Sequence, residues 1–216
     1  MALTLFFDFD GTLIDSAPGI LEGFRLVLAA ENIEPRMPLE TGIIGPPLPQ
    51  TMAALTGETD ATRLEHLTAR FKAAYDTEGY KVTEPYADLH DTLETLHRAG
   101  HRIVLVTNKR RIPTELLLAW LKLEQVIDAI FTPDTWTPPV KSKIDTLRRA
   151  IEQLGTDPAR AVMIGDSRDD AEAAAANGLA CIAVTHGYGD AARQREFPVI
   201  ARIDGLAELP AVIARC

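Results

Sequence analysis

Residues Ala161–Thr185 read AVMIGDSRDDAEAAAANGLACIAVT. The apolar run Ala161–Gly165 predicts a buried strand, Asp169–Asn177 a helix stopped by Gly178, and Ala180–Thr185 a second strand. Strand, short helix and strand in succession form a unit that closes only with the two strands parallel and a right-handed crossover between them. The same alternation runs back along the chain. Ser142–Leu154 predicts a helix ended by Gly155, Ile127–Thr132 a strand and Pro113–Leu123 a helix. Arg102–Thr107 (RIVLVT) predicts a strand, and a helix carrying Leu89, Leu93 and Leu96 ends at Gly100. Near the start, Leu3–Phe9 predicts one more buried strand. The expected fold is α/β: a doubly wound, Rossmann-like parallel sheet with helices on both faces.

The stretch between the first strand and Tyr86 breaks this rhythm. Ile20, Leu21, Phe24, Val27 and Leu28 recur at helical spacing from Ala17 to about Glu31. Asn32–Pro49 is rich in Pro and Gly, Gln50–Leu55 suits a short helix, and Leu64, Leu67, Phe71 and Ala74 mark another over Asp60–Thr77. An all-helical insertion over residues 15–85 is therefore expected within a core formed by residues 1–14 and 86–216. Asp15–Pro18 and Val82–Pro85, polar and proline-containing, are the expected hinges.

Composition narrows the functional classes. The 216 residues are 46% hydrophobic and 25% charged, ordinary for a globular chain, and the net charge is −9. That acidity disfavours nucleic acid as a partner, while leaving room for a small anion bound beside a cation. Cys181, in an apolar run, and Cys216 fit neither a disulfide framework nor a metal spacing. No signal-peptide pattern and no run of membrane-spanning length is present, so a cytoplasmic setting without membrane contact is expected. The sequence leaves the oligomeric state open.

In open parallel sheets ligands bind beyond the carboxyl ends of the strands. Four polar clusters follow strand ends here: Asp8/Asp10, Thr107/Asn108, Lys141/Lys143 and Asp166/Asp170. Asp8-Phe9-Asp10-Gly11-Thr12 puts two carboxylates on one side of an extended chain, an arrangement that suits a hard divalent cation or a division between nucleophile and proton shuttle. Gly11 allows a sharp turn and close approach to a phosphate. Thr107 and the Asn108 amide suit phosphoryl oxygens, though Thr-Asn is also a common cap. Asp166, directly after Gly165 at a strand end, suits a metal ligand, while Asp169 suits a helix dipole.

In this order the clusters resemble the motifs of the haloacid dehalogenase superfamily: DFDGTLIDS (8–16), VLVTNK (104–109), the lysine region and IGDSRDD (164–170). The helical insertion, IGPPL (44–48) and YADLHDTLETLHRAGH (86–101) are similar to its phosphoglycolate-phosphatase-like branch. The resemblance implies a phosphatase acting on a small phosphorylated metabolite, with Asp8 as nucleophile and Asp10 as acid and base. It further implies Mg²⁺ held by Asp8, the Asp10 carbonyl and Asp166, a phosphoryl group bound by Thr107 and Asn108, and a lysine oriented by Asp170. The usual Lys-Pro-x-Pro of the third motif reads Lys141-Ser142-Lys143-Ile144 here, so either lysine is a candidate, with the balance slightly toward Lys143. Phosphoglycolate, a nucleoside monophosphate and pyrophosphate all remain open as substrates. The loop Thr41–Met52 carries no Arg or Lys, so a second anionic group would have to use Arg25, Arg110 or Arg111. A phosphomutase of the β-phosphoglucomutase type would use the same core. A dehalogenase has no need of Asp10, and a phospho-aspartate regulatory module has no need of the insertion.

Overall fold

The computed structural model describes residues 2–189 and 196–216. Among the described residues the main sheet has six strands: β1 (Thr4–Phe7), β4 (Arg102–Val106), β5 (Ala129–Phe131), β6 (Ala161–Gly165), β7 (Ala180–Val184) and β8 (Ala201–Ile203). They are parallel, in the order β5-β4-β1-β6-β7-β8. The chain leaves β1 for one side of the sheet, and after β5 it crosses to the other. The carboxyl ends of β4, β1 and β6 therefore meet at the reversal of strand order, where such sheets bind ligands.

Alternation along the strands explains the two layers of helix. Leu5 and Phe7, Ile103 and Leu105, Val162 and Ile164 face one side. They pack with Leu89, Leu93 and Leu96 of α4 (Leu89–Arg98) and with Leu117 and Leu118 of α5 (Arg111–Trp120). Phe6, Val104, Val106 and Met163 face the other side, against α6 (Lys143–Leu154) and α7 (Arg168–Ala176). With both faces covered, the central strands are apolar over most of their length, as their sequences suggest.

The insertion comprises α1 (Ala17–Ala30), α2 (Leu48–Thr56) and α3 (Ala61–Tyr75), with short 3-10 turns at Thr41–Ile43 and Gly79–Val82. It has its own core of Phe24, Val27, Met52, Leu55, Leu67, Phe71 and Tyr75. Asp60 caps α3 by accepting from the Arg63 amide. Where the insertion leaves and rejoins the sheet domain, β2 (Ile14–Asp15) and β3 (Glu84–Pro85) pair antiparallel, Ile14 opposite Pro85 and Asp15 opposite Glu84. This ribbon overlaps the expected hinge segments at Asp15 and Glu84–Pro85 and is too short to leave an alternating pattern.

The remaining differences have local causes. β1 ends before Asp8, because the Phe9 carbonyl gathers the amides of Thr12, Leu13 and Ile14 and turns the chain. α5 begins two residues before Pro113, which its first turn tolerates, and ends before Lys122, whose φ is +58°. The sequence reading stopped at Thr185 and missed β8 and the helix α8 (Leu209–Ile213), both short. Cys181 is buried and Cys216 exposed, both as free thiols. Among the described residues no helix is long and apolar enough to cross a membrane.

Candidate active site

Asp8 follows β1 directly. Its amide donates to the Ile164 carbonyl (2.9 Å), so the residue stays in register with β6 while its carboxylate projects past the sheet edge. The Asp8 side chain is buried, and so is the lysine that meets it. Lys143 Nζ lies 2.8 Å from Asp8 Oδ2 and 2.7 Å from Asp170 Oδ1. The reach comes from local structure: Ser142 caps α6 by accepting from the Asp145 amide, which makes Lys143 the first helical residue at the sheet edge. Lys141, two residues earlier, lies outside the cap and is exposed. Of the two lysine candidates, the favoured Lys143 reaches Asp8, and the Lys141 candidacy is corrected: that side chain stays exposed outside the carboxylate cluster.

Asp170 is the third residue of α7. Its Oδ2 accepts from the Ser167 amide (3.0 Å) and the Ser167 hydroxyl (2.6 Å), which leaves Oδ1 for Lys143. That division fixes the lysine head between two carboxylates. Asp166 is held from two sides: Oδ1 accepts from the Thr12 hydroxyl (3.0 Å), and Oδ2 from the amides of Tyr188 (2.7 Å) and Gly189 (3.0 Å). Gly11 sits at φ +80°, and a Cβ there would lie 2.5 Å from Asp166 Oδ2, so only glycine lets this turn close.

Asp8, Asp166 and Asp170 each offer a carboxylate oxygen, and these atoms lie within 4.8 Å of one another. Burial, opposed by Lys143 but reinforced by Asp170 and Asp166, pushes the Asp8 carboxyl up to about 8. Burial and Asp170, partly offset by Lys143 and the two loop amides, push Asp166 up to about 6. Burial works against the Lys143 ammonium, but Asp170 and Asp8 outweigh it and raise its pKa. Three buried carboxylates facing one lysine leave negative charge uncompensated. This oxygen-donor set suits a hard divalent cation.

Asp10 points elsewhere. Lys109 Nζ contacts Oδ1 at 2.8 Å and Oδ2 at 3.0 Å, and the Ser16 hydroxyl donates to Oδ1. The Asp10 side chain thus lies outside the carboxylate trio. Lys109 is buried beneath the Tyr75 ring, 4.9 Å from its centroid. Neither Lys109 nor Ser16 was singled out from the sequence, although both lie in motif strings quoted above. The loop Gly187–Gly189 was missed as well, its signal being a glycine-rich turn after a strand.

Three consecutive residues after β4 hold the insertion. Asn108 Nδ2 donates to the Gly45 carbonyl (3.0 Å), Lys109 meets Tyr75, and Arg110 pairs bidentately with Asp76 at 3.0 and 2.7 Å. Between insertion and sheet domain lies a cavity of about 90 Å³. Asp8, Asp10, Thr107 and Asn108 line its floor, and Ile20, Phe24, Ile43, Leu48 and Phe71 line its roof. A phosphate ester entering here meets a buried carboxylate, a buried ammonium and a hydroxyl at one end, and apolar side chains at the other.

Comparison with known proteins agrees with this geometry. Residues 5–184 match the profile of the haloacid dehalogenase-like hydrolases. The tyrosine-protein kinase PtkA of Mycobacterium tuberculosis is 34% identical over 187 residues, 86% of this chain but only 62% of PtkA. The chain thus spans less than two thirds of that relative's length. A phosphoglycolate phosphatase of Cupriavidus necator is 33% identical over 214 residues, covering 95% of this chain and 90% of that one. The crystal structure of a predicted phosphatase from Clostridium acetobutylicum covers 100% of both chains, with a TM-score of 0.89 at 26% identity.

Proposed function

The chain belongs to the haloacid dehalogenase-like hydrolase family, and on that premise we propose that it is a Mg²⁺-dependent phosphatase acting on small phosphate monoesters through an aspartyl-phosphate. The observation that carries the proposal is Lys143 bridging Asp8 and Asp170 at the edge of the cavity. An Asp8 oxygen attacks phosphorus and the ester P–O bond breaks. The leaving oxygen takes a proton from Asp10. Asp10 then takes a proton from water as the water oxygen attacks phosphorus, breaking the P–O bond to Asp8 and releasing inorganic phosphate. Both Asp10 oxygens are engaged in this structure, so its acid role requires Lys109 to release Oδ2 as substrate enters while Ser16 still holds Oδ1.

Lys143 offsets the charge that gathers on the phosphoryl oxygens, and Asp170 keeps it aimed. The Thr107 hydroxyl and Asn108 amide bind those oxygens, and Gly11 keeps the backbone clear of them. Asp8, Asp166 and the Asp10 carbonyl would hold Mg²⁺, which when bound supplies electrostatic stabilisation of the phosphoryl group. The buried free thiol of Cys181 supports placing the protein in the cytoplasm. The organised cavity supports a small-molecule substrate over nucleic acid or membrane.

A rapid-quench experiment with a ³²P-labelled ester tests the reading. Label should appear on Asp8 and vanish in Asp8→Asn; steady turnover without labelled Asp8 overturns it. A second reading, transfer to an acceptor hydroxyl, is favoured by the 34% identity with a protein named a tyrosine-protein kinase. Stoichiometric release of inorganic phosphate separates hydrolysis from transfer.

A further inference from the structure

We infer that the cavity selects esters whose leaving group is uncharged and apolar, and that it discriminates against esters carrying a second anionic group such as a carboxylate. The inference rests on the phosphatase reading and concerns the end of the cavity away from Asp8.

The roof is mostly apolar: Ile20, Phe24, Ile43, Leu48 and Phe71 converge there, with the Phe24 and Phe71 rings 4.6 Å apart, and Thr51 and Tyr75 add neutral hydroxyls but no charge. Among the described residues the cations of the lining are Lys109 and Arg110, and both are already paired. Lys109 holds both oxygens of Asp10, and Arg110 holds both oxygens of Asp76. The other arginines considered from the sequence are engaged elsewhere: Arg25 with Glu22 and Arg111 with Glu115, both exposed and outside the lining. A substrate carboxylate would therefore have to displace Asp10 or Asp76 or lie unpaired among hydrocarbon. A buried charge without a partner is strongly disfavoured. A hydrocarbon group meets no such obstacle and fills the roof as apolar ligands fill apolar pockets.

The test compares benzyl phosphate, 2-phosphoglycolate and glycerol 3-phosphate at fixed Mg²⁺. All three are esters of alkyl alcohols, which limits differences in intrinsic reactivity. Benzyl phosphate should show the highest kcat/KM, exceeding 2-phosphoglycolate by about tenfold or more. Leu48→Arg, which adds a cation to the roof, should reduce that ratio by about tenfold. Asp76→Asn, which frees Arg110, should move it in the same direction without altering Asp8 labelling. Equal or better turnover of 2-phosphoglycolate by the unaltered protein overturns the inference and leaves the phosphatase reading standing, as does an unchanged ratio in both variants. Failure to hydrolyse any of the three by folded, Mg²⁺-loaded protein removes the phosphatase reading itself, and the inference with it.

Discussion

Lys143 Nζ stands 2.8 Å from Asp8 Oδ2, and both side chains are buried. An ammonium in that position has left water, and among the described residues Asp8 and Asp170 compensate it. Lys143→Met should lower kcat by about 10²–10³ or more, through loss of a charge aimed at the phosphoryl group. It should also alter stability, because it leaves Asp8 and Asp170 facing each other unneutralised; breaking a buried pair in this way costs about 3–5 kcal/mol. Lys141→Ala, at an exposed position, should change stability by no more than about 0.5 kcal/mol and kcat hardly at all. Steady-state kinetics and urea unfolding of the two variants check the contrast.

Asp8→Asn should retain the fold and lose turnover. In metal-free protein its melting temperature should equal or exceed that of the parent, because one of three crowded carboxylates is gone. A variant that unfolds would make Asp8 a structural residue; one that still turns over would leave it without a role as nucleophile.

Chelation should abolish activity and Mg²⁺ restore it. Mg²⁺ should also raise the melting temperature of the parent by mass action, with a gain of about 2.7 kcal/mol at a hundred times its Kd. Asp166→Ala should erase that Mg²⁺-dependent rise. Gly11→Ala should diminish it, because its Cβ would press on Asp166 Oδ2. Calorimetric scans with and without Mg²⁺ decide this independently of any substrate.

The Tyr188 hydroxyl donates to Asp15 Oδ1 (2.6 Å) and accepts from the Ala17 amide (2.9 Å), while the Tyr188 amide donates to Asp166. One residue thus touches both the hinge and the carboxylate cluster. Tyr188→Phe keeps the ring and the amide but removes the hinge contact. It should speed amide exchange in residues 14–17 and at Glu84 while leaving Mg²⁺ affinity within about twofold, since the altered bond carries roughly 1 kcal/mol and lies away from Asp166. Exchange rates unchanged from the parent would mean that the hydroxyl does not restrain the hinge.

What could be foreseen depended on whether the determinant was local. β6 was placed to the residue because AVMIG is apolar throughout and ends at Gly165-Asp166. The convergence of Asp8, Thr107 and Asp166 followed from the rule for the carboxyl ends of parallel strands. Choosing Lys143 over Lys141 needed the phase of α6, which its Ser142 cap sets and apolar spacing leaves undefined. Lys109 lies 99 residues from its partner Asp10 and Tyr188 lies 22 from Asp166, and no periodicity marks such pairs. β8 and α8 span three and five residues, too short for a period to show.

The ribbon of Ile14–Asp15 against Glu84–Pro85 has an evolutionary reading. Because its two strands lie side by side, residues 16–83 enter and leave the sheet domain at what is nearly one point. From the sheet's side the whole insertion is a closed loop on a two-stranded stalk, and neighbouring chain ends are the condition under which a module is exchanged without disturbing its host. Descendants of this chain can therefore acquire new chemical tastes by replacing the loop wholesale, while the residues that handle phosphorus stay untouched on the strands below.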